Sequence, residues 1–306
     1  MVIGEMIENR GEDSYAFSLN NNCGMLGVFD GCGGIGARKY EEYENQTGAY
    51  LASRAAAEVV YGWFSEFCSE KTVLSGNTVK PVCDEVARRL KERLCAMAEK
   101  TGRTSIKGSL TKSFPTTCSL ALFTHENKSL YSAFIWAGDS RGYILTADGL
   151  HQVTTDDSAD GDDALAGIRS DSRLTNMISA DGGFVLHNRI ITCSQPCVVL
   201  TATDGCFGYF STPMEFEYML LETMKAASNA NEWSKRLKAY IRRFAGDDYT
   251  IGIAAFGFNS FRSMQKAFAG RKQEMYGKYI SGLRNASEQE KQSLWNEYKK
   301  TYCGGV

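Results

Sequence analysis

What most restricts the fold of this chain is the order in which its apolar segments change period. Eight short stretches, at 15–19, 24–29, 117–123, 130–136, 142–146, 189–193, 198–203 and 249–256, are bounded by Gly, Asn or Asp and read as strands. Four longer ones repeat at helical spacing: 47–67, opened by a capping-type Thr47, then 79–100, 213–227 and 231–244. Two of these helices fall between early strands, and several strands then run consecutively. That order breaks the regular alternation of a doubly wound parallel sheet, and predicts a layered α+β architecture with mostly antiparallel sheets. With four prolines and no Ser/Gly linker, no boundary is visible before residue 257. The expected organisation is one domain over 1–257 and a basic helical extension over 258–306.

The extension stands apart in charge. Residues 259–306 carry nine Lys or Arg against four Glu, formally +5, leaving -7 for the rest of a chain whose total is -2. Phe261, Met264, Phe268, Met275 and Tyr279, then Leu294, Trp295 and Tyr298, recur at helical spacing. They predict two helices packed on the body, with an acidic partner as the alternative use of the basic charges.

The near-neutral total argues against nucleic-acid binding by bulk charge. No apolar run approaches the roughly 18–20 residues that span a bilayer, and the first residues lack the pattern of a secretory signal. The ten cysteines are scattered, without the dense spacing of a secreted framework, so no disulfide is needed and a cytoplasmic location is expected. Cys118, Cys193 and Cys197 read as core packing. No Cys-x-x-Cys pair exists and only three histidines are present, which speaks against a zinc site. There is no Gly-x-Ser-x-Gly elbow either. Ser-His-Asp catalysis stays open without it, but the chemistry is expected to fall to carboxylates.

Three segments share one design, an apolar strand next to an Asp: Gly27-Val-Phe-Asp30-Gly31, Leu200-Thr-Ala-Thr-Asp204-Gly205, and Gly246-Asp247-Asp248 before the strand at 249–256. One such Asp-Gly is an ordinary turn. Three buried strands delivering carboxylates to one place would repel strongly unless a cation neutralised them. Oxygen-only donors suit magnesium or manganese.

With these segments, Arg10-Gly-Glu12-Asp13-Ser14, Cys32-Gly33-Gly34 after Asp30-Gly31, Thr116-Thr117-Cys-Ser and Ala137-Gly-Asp139-Ser140-Arg141 occur in order. The chain, over about residues 8–257, resembles the metal-dependent protein phosphatases, the type 2C Ser/Thr phosphatases. The resemblance implies a central β-sandwich of two antiparallel sheets flanked by helices on both sides. It also implies hydrolysis of phosphoserine and phosphothreonine in phosphoproteins by a water activated by two Mn2+ or Mg2+ ions, without a covalent phosphoenzyme. By position, Asp30 matches the carboxylate bridging two ions, with the Gly31 carbonyl on one of them. Asp204 and Asp247 match ligands of the other ion, Glu12 and Asp13 the acidic pair that holds bound waters, and Asp139 a ligand of a third ion. Three positions depart from the family. Cys32 replaces the usual histidine acid, Glu8 stands where the phosphate-holding arginine is usual, leaving Arg10 as the nearest substitute, and Gly208 replaces a further third-ion Asp. These changes motivate the alternative of a weakly active or inactive phosphatase-like binding module.

Two other patterns are weaker. Gly31-Cys-Gly33-Gly-Ile-Gly36 satisfies a dinucleotide fingerprint, but Asp30 before it and the polar residues after it do not suit a pyrophosphate. The run from Asp156 to Asp162 imitates a calcium loop without its final Glu, since the twelfth position is Gly167, and is expected to be a solvated acidic loop.

Overall fold

The computed structural model describes residues 1–20, 23–69, 76–102, 112–126, 129–159, 163–169 and 173–304. Among them run two five-stranded antiparallel sheets. The first has the order β1 (Val2–Gly4), β12 (Tyr249–Phe256), β11 (Cys197–Ala202), β8 (Arg141–Thr146) and β9 (Gly149–Gln152). The second has the order β10 (His187–Cys193), β7 (Ser129–Ala137), β6 (Cys118–Glu126), β3 (Cys23–Phe29) and β2 (Ser14–Leu19). A small ribbon pairs β4 (Lys39–Tyr40) with β5 (Gln46–Thr47), and follows the single helical turn α1 (Gly33–Gly36).

The sheets stack face to face. Ala121, Phe123, Phe134, Ile144 and Val199 fill the space between them. The opposite faces carry helices: α2 (Gly48–Ser69) and α3 (Gly76–Lys100) cover the second sheet, α5 (Pro213–Ala226) and α6 (Ala230–Ile241) the first, with the short α4 (Ala164–Arg169) beside α5. Strand β11 shows why the sequence looks as it does. Val198, Leu200 and Ala202 point to the helices while Cys197 and Val199 point between the sheets, so every position is apolar or buried. The expected sandwich of antiparallel sheets with helices outside both is the observed fold.

All eight expected strands and four expected helices are present within a few residues. Strands β1 and β9 were not expected. The first is three residues long at a sheet edge, where Val2 pairs with Ile251, and the second, Gly-Leu-His-Gln, has no alternation to read. Cys118, Cys193 and Cys197 are buried as expected, but Cys23 and Cys68 are joined in a disulfide between β3 and the end of α2, which the spacing had not indicated.

The C-terminal region is more broken than the two helices expected. Helices α7 (Phe261–Ala267) and α8 (Ala269–Met275) lead into a π-turn at Tyr276–Ile280 and a short 3-10 turn at Leu283–Asn285, before α9 (Glu288–Tyr302). Its aromatic residues do pack: Trp295, Tyr298 and Tyr302 are buried with the α5 residues in one core. Arg271 donates to the buried Glu217 carboxylate at 2.7 and 3.1 Å, and the Tyr298 hydroxyl donates to it at 2.6 Å.

The acidic run after β9 is not a solvated loop where it is described. Asp156 lies 2.6 Å from the buried Arg141 guanidinium. Asp157 accepts from Gly138 N at 2.9 Å and Asn176 Nδ2 at 2.7 Å. Asp160, Gly161 and Asp162 lie outside the described residues.

Candidate metal centre

Antiparallel pairing puts the end of one strand beside the start of the next, and this builds the site. The ends of β3 and β11 and the starts of β2, β8 and β12 deliver Asp30, Asp204, Asp13, Asp139 and Asp247 to one rim of the sandwich. Hydrogen bonds between the strands hold Asp30 and Asp13 in place. The Asp30 carbonyl accepts from Thr117 N and Thr116 Oγ1, both at 2.8 Å, and Thr117 Oγ1 lies 2.6 Å from Ser140 Oγ, next to Asp139. Thr203 donates to Asp13 at 2.8 Å and accepts from Thr250 N at 2.8 Å, tying β11, β12 and the start of β2 together just before Asp204.

Gly31 is required by close approach. A Cβ there would lie 2.4 Å from the Ala49 carbonyl oxygen and 2.8 Å from that of Glu12. Gly205 is tighter still, with the Asp248 carbonyl oxygen 1.9 Å from where its Cβ would be.

Crowding governs the electrostatics. Burial, then the charges of Asp204 and Asp13, push the Asp30 carboxyl well above the usual carboxylate range. Burial also raises Asp13, against its hydrogen bond from Thr203. Asp139 is raised to about 8 by burial and then by Asp204, and Asp247 to about 6 by burial first and Asp204 after. Burial raises Glu12, opposed by the hydroxyl of Thr47. The Cys32 thiol is pushed up by burial and by Asp139 and Asp204, which keeps it a neutral, weak donor.

Asp204 is the common neighbour in all of these shifts but that of Glu12, and its Oδ1 is buried with no hydrogen-bond partner among the described residues. Among those residues no three donors are drawn into one preformed coordination sphere. The donor set is nevertheless all oxygen, mutually repelling and locally short of cations, and the orphaned Asp204 oxygen is what a divalent ion would satisfy. The residues fit such an ion.

Arg10 is not brought in. It is exposed on the loop before Glu12, where its backbone N–H closes a turn on Ile7. The arginine near Glu12 is Arg54, on α2. Its Nη2 donates to the Gly11 carbonyl at 3.0 Å, and its guanidinium carbon lies 3.4 Å from the Tyr50 ring centre. Gly208 donates its N–H to the Asp204 carbonyl and offers no carboxylate.

Three further groups beside the centre are given no role there by the sequence. Asp248 accepts from Met6 N and Glu12 N, both at 2.7 Å, and so holds the loop carrying Glu12. Thr47 accepts from Tyr50 N at 3.1 Å as the cap of α2, while its hydroxyl donates to Glu12. Arg54 is the third. Asp248 could have been found from its place in the Asp247-Asp248 pair; Arg54 carried no such signal.

Residues 8–242 match the family model for protein phosphatase 2C. No curated protein matches the sequence. Solved structures do match in fold. A bacterial serine phosphatase bearing an arginine-to-lysine mutation aligns with a TM-score of 0.61 at 18% identity, over 83% of this chain and 96% of that one. Stp1 from Staphylococcus aureus aligns at 0.59 and 18%, over 83% and 94%. The catalytic domain of the serine threonine phosphatase PstP, in complex with 2 manganese ions, aligns at 0.53 and 16%, over 83% and 94%. The chain belongs to the protein phosphatase 2C family. It is a metal-dependent Ser/Thr protein phosphatase by that membership.

Proposed function

We propose that Asp30, Asp204 and Asp247, with the Gly31 carbonyl, hold two Mn2+ or Mg2+ ions and that the chain hydrolyses phosphoserine and phosphothreonine in phosphoproteins. The observation that carries this assignment is the buried, unpartnered Asp204 oxygen among carboxylates whose pKa values are raised. The manganese-bound PstP structure supports the choice of ion. When bound, the ions make water nucleophilic near neutral pH and offset the charge of the phosphoryl oxygens. The chain's own residues do the rest. Glu12 and Asp13, anchored by Thr47 and Thr203, orient water by hydrogen bonds. Asp139 is the remaining carboxylate for a third ion, with no partner from position 208.

Hydrolysis of p-nitrophenyl phosphate and of a phosphothreonine peptide, each with manganese, magnesium or EDTA, tests the reading. Activity with either ion and none with EDTA is expected. Absence of activity under all three would favour the inactive binding module.

Cys32 lies at the edge of a cavity of about 610 Å³ next to the centre. A thiol held neutral is a poor acid for an alkyl leaving group, whereas nitrophenolate leaves without a proton. Cys32→His is therefore expected to raise kcat for a phosphoserine peptide about tenfold or more, within the usual reach of general acid catalysis, with little change for p-nitrophenyl phosphate. Equal changes for the two substrates would exclude an acid at this position.

Cysteine chemistry bears on where the protein works. Eight cysteines outside any disulfide favour a reducing, cytoplasmic location, while the Cys23–Cys68 disulfide weighs against it. Among the described residues no helix is long and apolar enough to cross a membrane. An acidic partner for residues 258–306 would have to compete with carboxylates already opposite Arg271, Lys272, Lys278, Lys291 and Lys299. We treat these residues as an extension of the phosphatase domain.

A further inference from the structure

We propose that Lys112 and Arg173 form a subsite for a second anionic group on the substrate, an acidic side chain or a further phosphate close to the phosphoresidue being hydrolysed. This names a substrate class within the function proposed above and rests on that reading.

Both residues line the cavity of about 610 Å³ that begins at Cys32 and Gly33, a size usual for binding clefts, which run to about 300–1,000 Å³. The cavity borders the centre directly, since a Cβ on Gly33 would collide with the Glu12 carboxylate. Each cation hangs from backbone that is held in place. Lys112 N donates to the Ile35 carbonyl at 3.0 Å, and the next residue, Ser113, accepts from Ala180 N at 3.0 Å. The Arg173 carbonyl accepts from Ala159 N at 3.0 Å, and Thr175 N donates to the Asp157 carbonyl at 2.8 Å. Asn176, further along the same wall, donates to the Asp157 carboxylate at 2.7 Å. A ligand therefore meets the two charges on a fixed frame, with only the side chains to adjust.

What these two cations lack is a counter-charge. On α3, Arg88, Arg89 and Arg93 each face a glutamate. Among the described residues neither Lys112 nor Arg173 has such a partner. The carboxylate on the cavity lining, Asp181, already accepts from Ser113 N at 2.6 Å. Nor do the two cations serve the reacting phosphate. The guanidinium groups that act on the centre are Arg54, at Glu12, and Arg141, at Asp139. Lys112 and Arg173 are not among the main charges felt there or at Cys32. They stand further out along the cavity, where a neighbour of the phosphoresidue would lie. The body outside the extension is formally -7, which disfavours acidic substrates in general. A local pair of unmatched cations beside the centre reverses that preference where the substrate docks.

The test uses the full chain with manganese and three phosphothreonine peptides of one length. One carries Glu on both sides of the phosphothreonine, one carries Gln there, and one carries a second phosphothreonine beside the first. We expect kcat/KM to be about fivefold to tenfold higher for the anionic peptides than for the Gln peptide, mainly through KM. An exposed ion pair is worth up to about fivefold, so Lys112→Gln and Arg173→Gln should each cut this ratio about twofold to fivefold, and the double variant should bring it near one. The ratio should also shrink as salt is raised to about 0.5 M. Lys225→Gln, at the exposed end of α5, removes the same charge far from the cavity and should leave the ratio at its wild-type value. A gain for only one of the anionic peptides identifies which group the subsite takes.

The proposal is overturned if the wild type treats all three peptides alike, or if its preference survives in the double variant. It is equally overturned if Lys225→Gln lowers the ratio as much as Arg173→Gln does, since net charge would then be the cause. Should Lys112→Gln not fold, Arg173→Gln, at an exposed position, carries the test. If the wild-type protein hydrolyses none of the peptides, the proposed function fails, and their affinities for the manganese-loaded chain, read by fluorescence anisotropy, decide the subsite. Tighter binding of an anionic peptide, lost in Arg173→Gln, keeps it; equal binding or none removes it.

Discussion

Asp204→Asn will fold, melt no lower than wild type without metal, and lose at least about 2.7 kcal/mol of transition-state stabilisation, a hundredfold in kcat. The asymmetry follows from its position. In the metal-free protein burial first, and then the charge of Asp204, raise Asp30, Asp139 and Asp247, so removing that charge relieves repulsion. With metal present, the same charge is a ligand, and its loss also removes the rise in Tm that manganese should give the wild type. Asp30→Asn should behave alike, whereas Asp139→Asn should cost less if it serves only a third ion. Wild-type rates in the Asp30 and Asp204 variants would mean that the centre is misplaced.

Removal of residues 258–306 should have the larger effect on stability. Glu217 is fully buried, and its partners Arg271 and Tyr298 both lie in the deleted segment. Stranding a buried charge costs about 3–5 kcal/mol. Uncovering the core around Trp295, Tyr298 and Tyr302 adds several more at about 25 cal/mol per Å². Together these rival the whole stability of an ordinary domain, about 5–15 kcal/mol. The truncated chain should be insoluble or melt far lower. A truncated protein that is soluble and melts at the wild-type temperature would show that the extension packs for no structural reason and would favour a partner-binding role.

The sandwich was legible because its strands are buried on two faces. Val198 to Ala202 can be read without knowing their neighbours, since every side chain must be apolar or satisfied. Asp30 and Asp204 were legible for a related reason, as carboxylates at the mouths of such strands. What escaped were interactions between residues far apart in sequence. Asp156 and Asp157 look solvated until Arg141 and Gly138 are known to face them, and Asp163 until Trp295 arrives from 132 residues away. Arg10 is near Glu12 in sequence, whereas the fold puts Arg54 beside it. The π-turn at Tyr276–Ile280 joins segments of good helical pattern, and such a pattern does not report where a helix changes winding.

The contacts of Asp248 bear on how the protein is made. Strand β1 pairs with β12, and the Glu12 N–H reaches Asp248 across 236 positions of the chain. During synthesis, the first residues of the centre therefore leave the ribosome long before the last. At about 5–20 residues per second, a nascent chain waits on the order of ten seconds or more with Asp30 exposed and no Asp247 to meet it. Such closure of the two ends of a chain is the slow kind of contact in folding. A ribosome-bound fragment ending before residue 247 should accordingly neither retain manganese nor hydrolyse phosphate esters, so the enzyme is silent until Asp247 and Asp248 have been made.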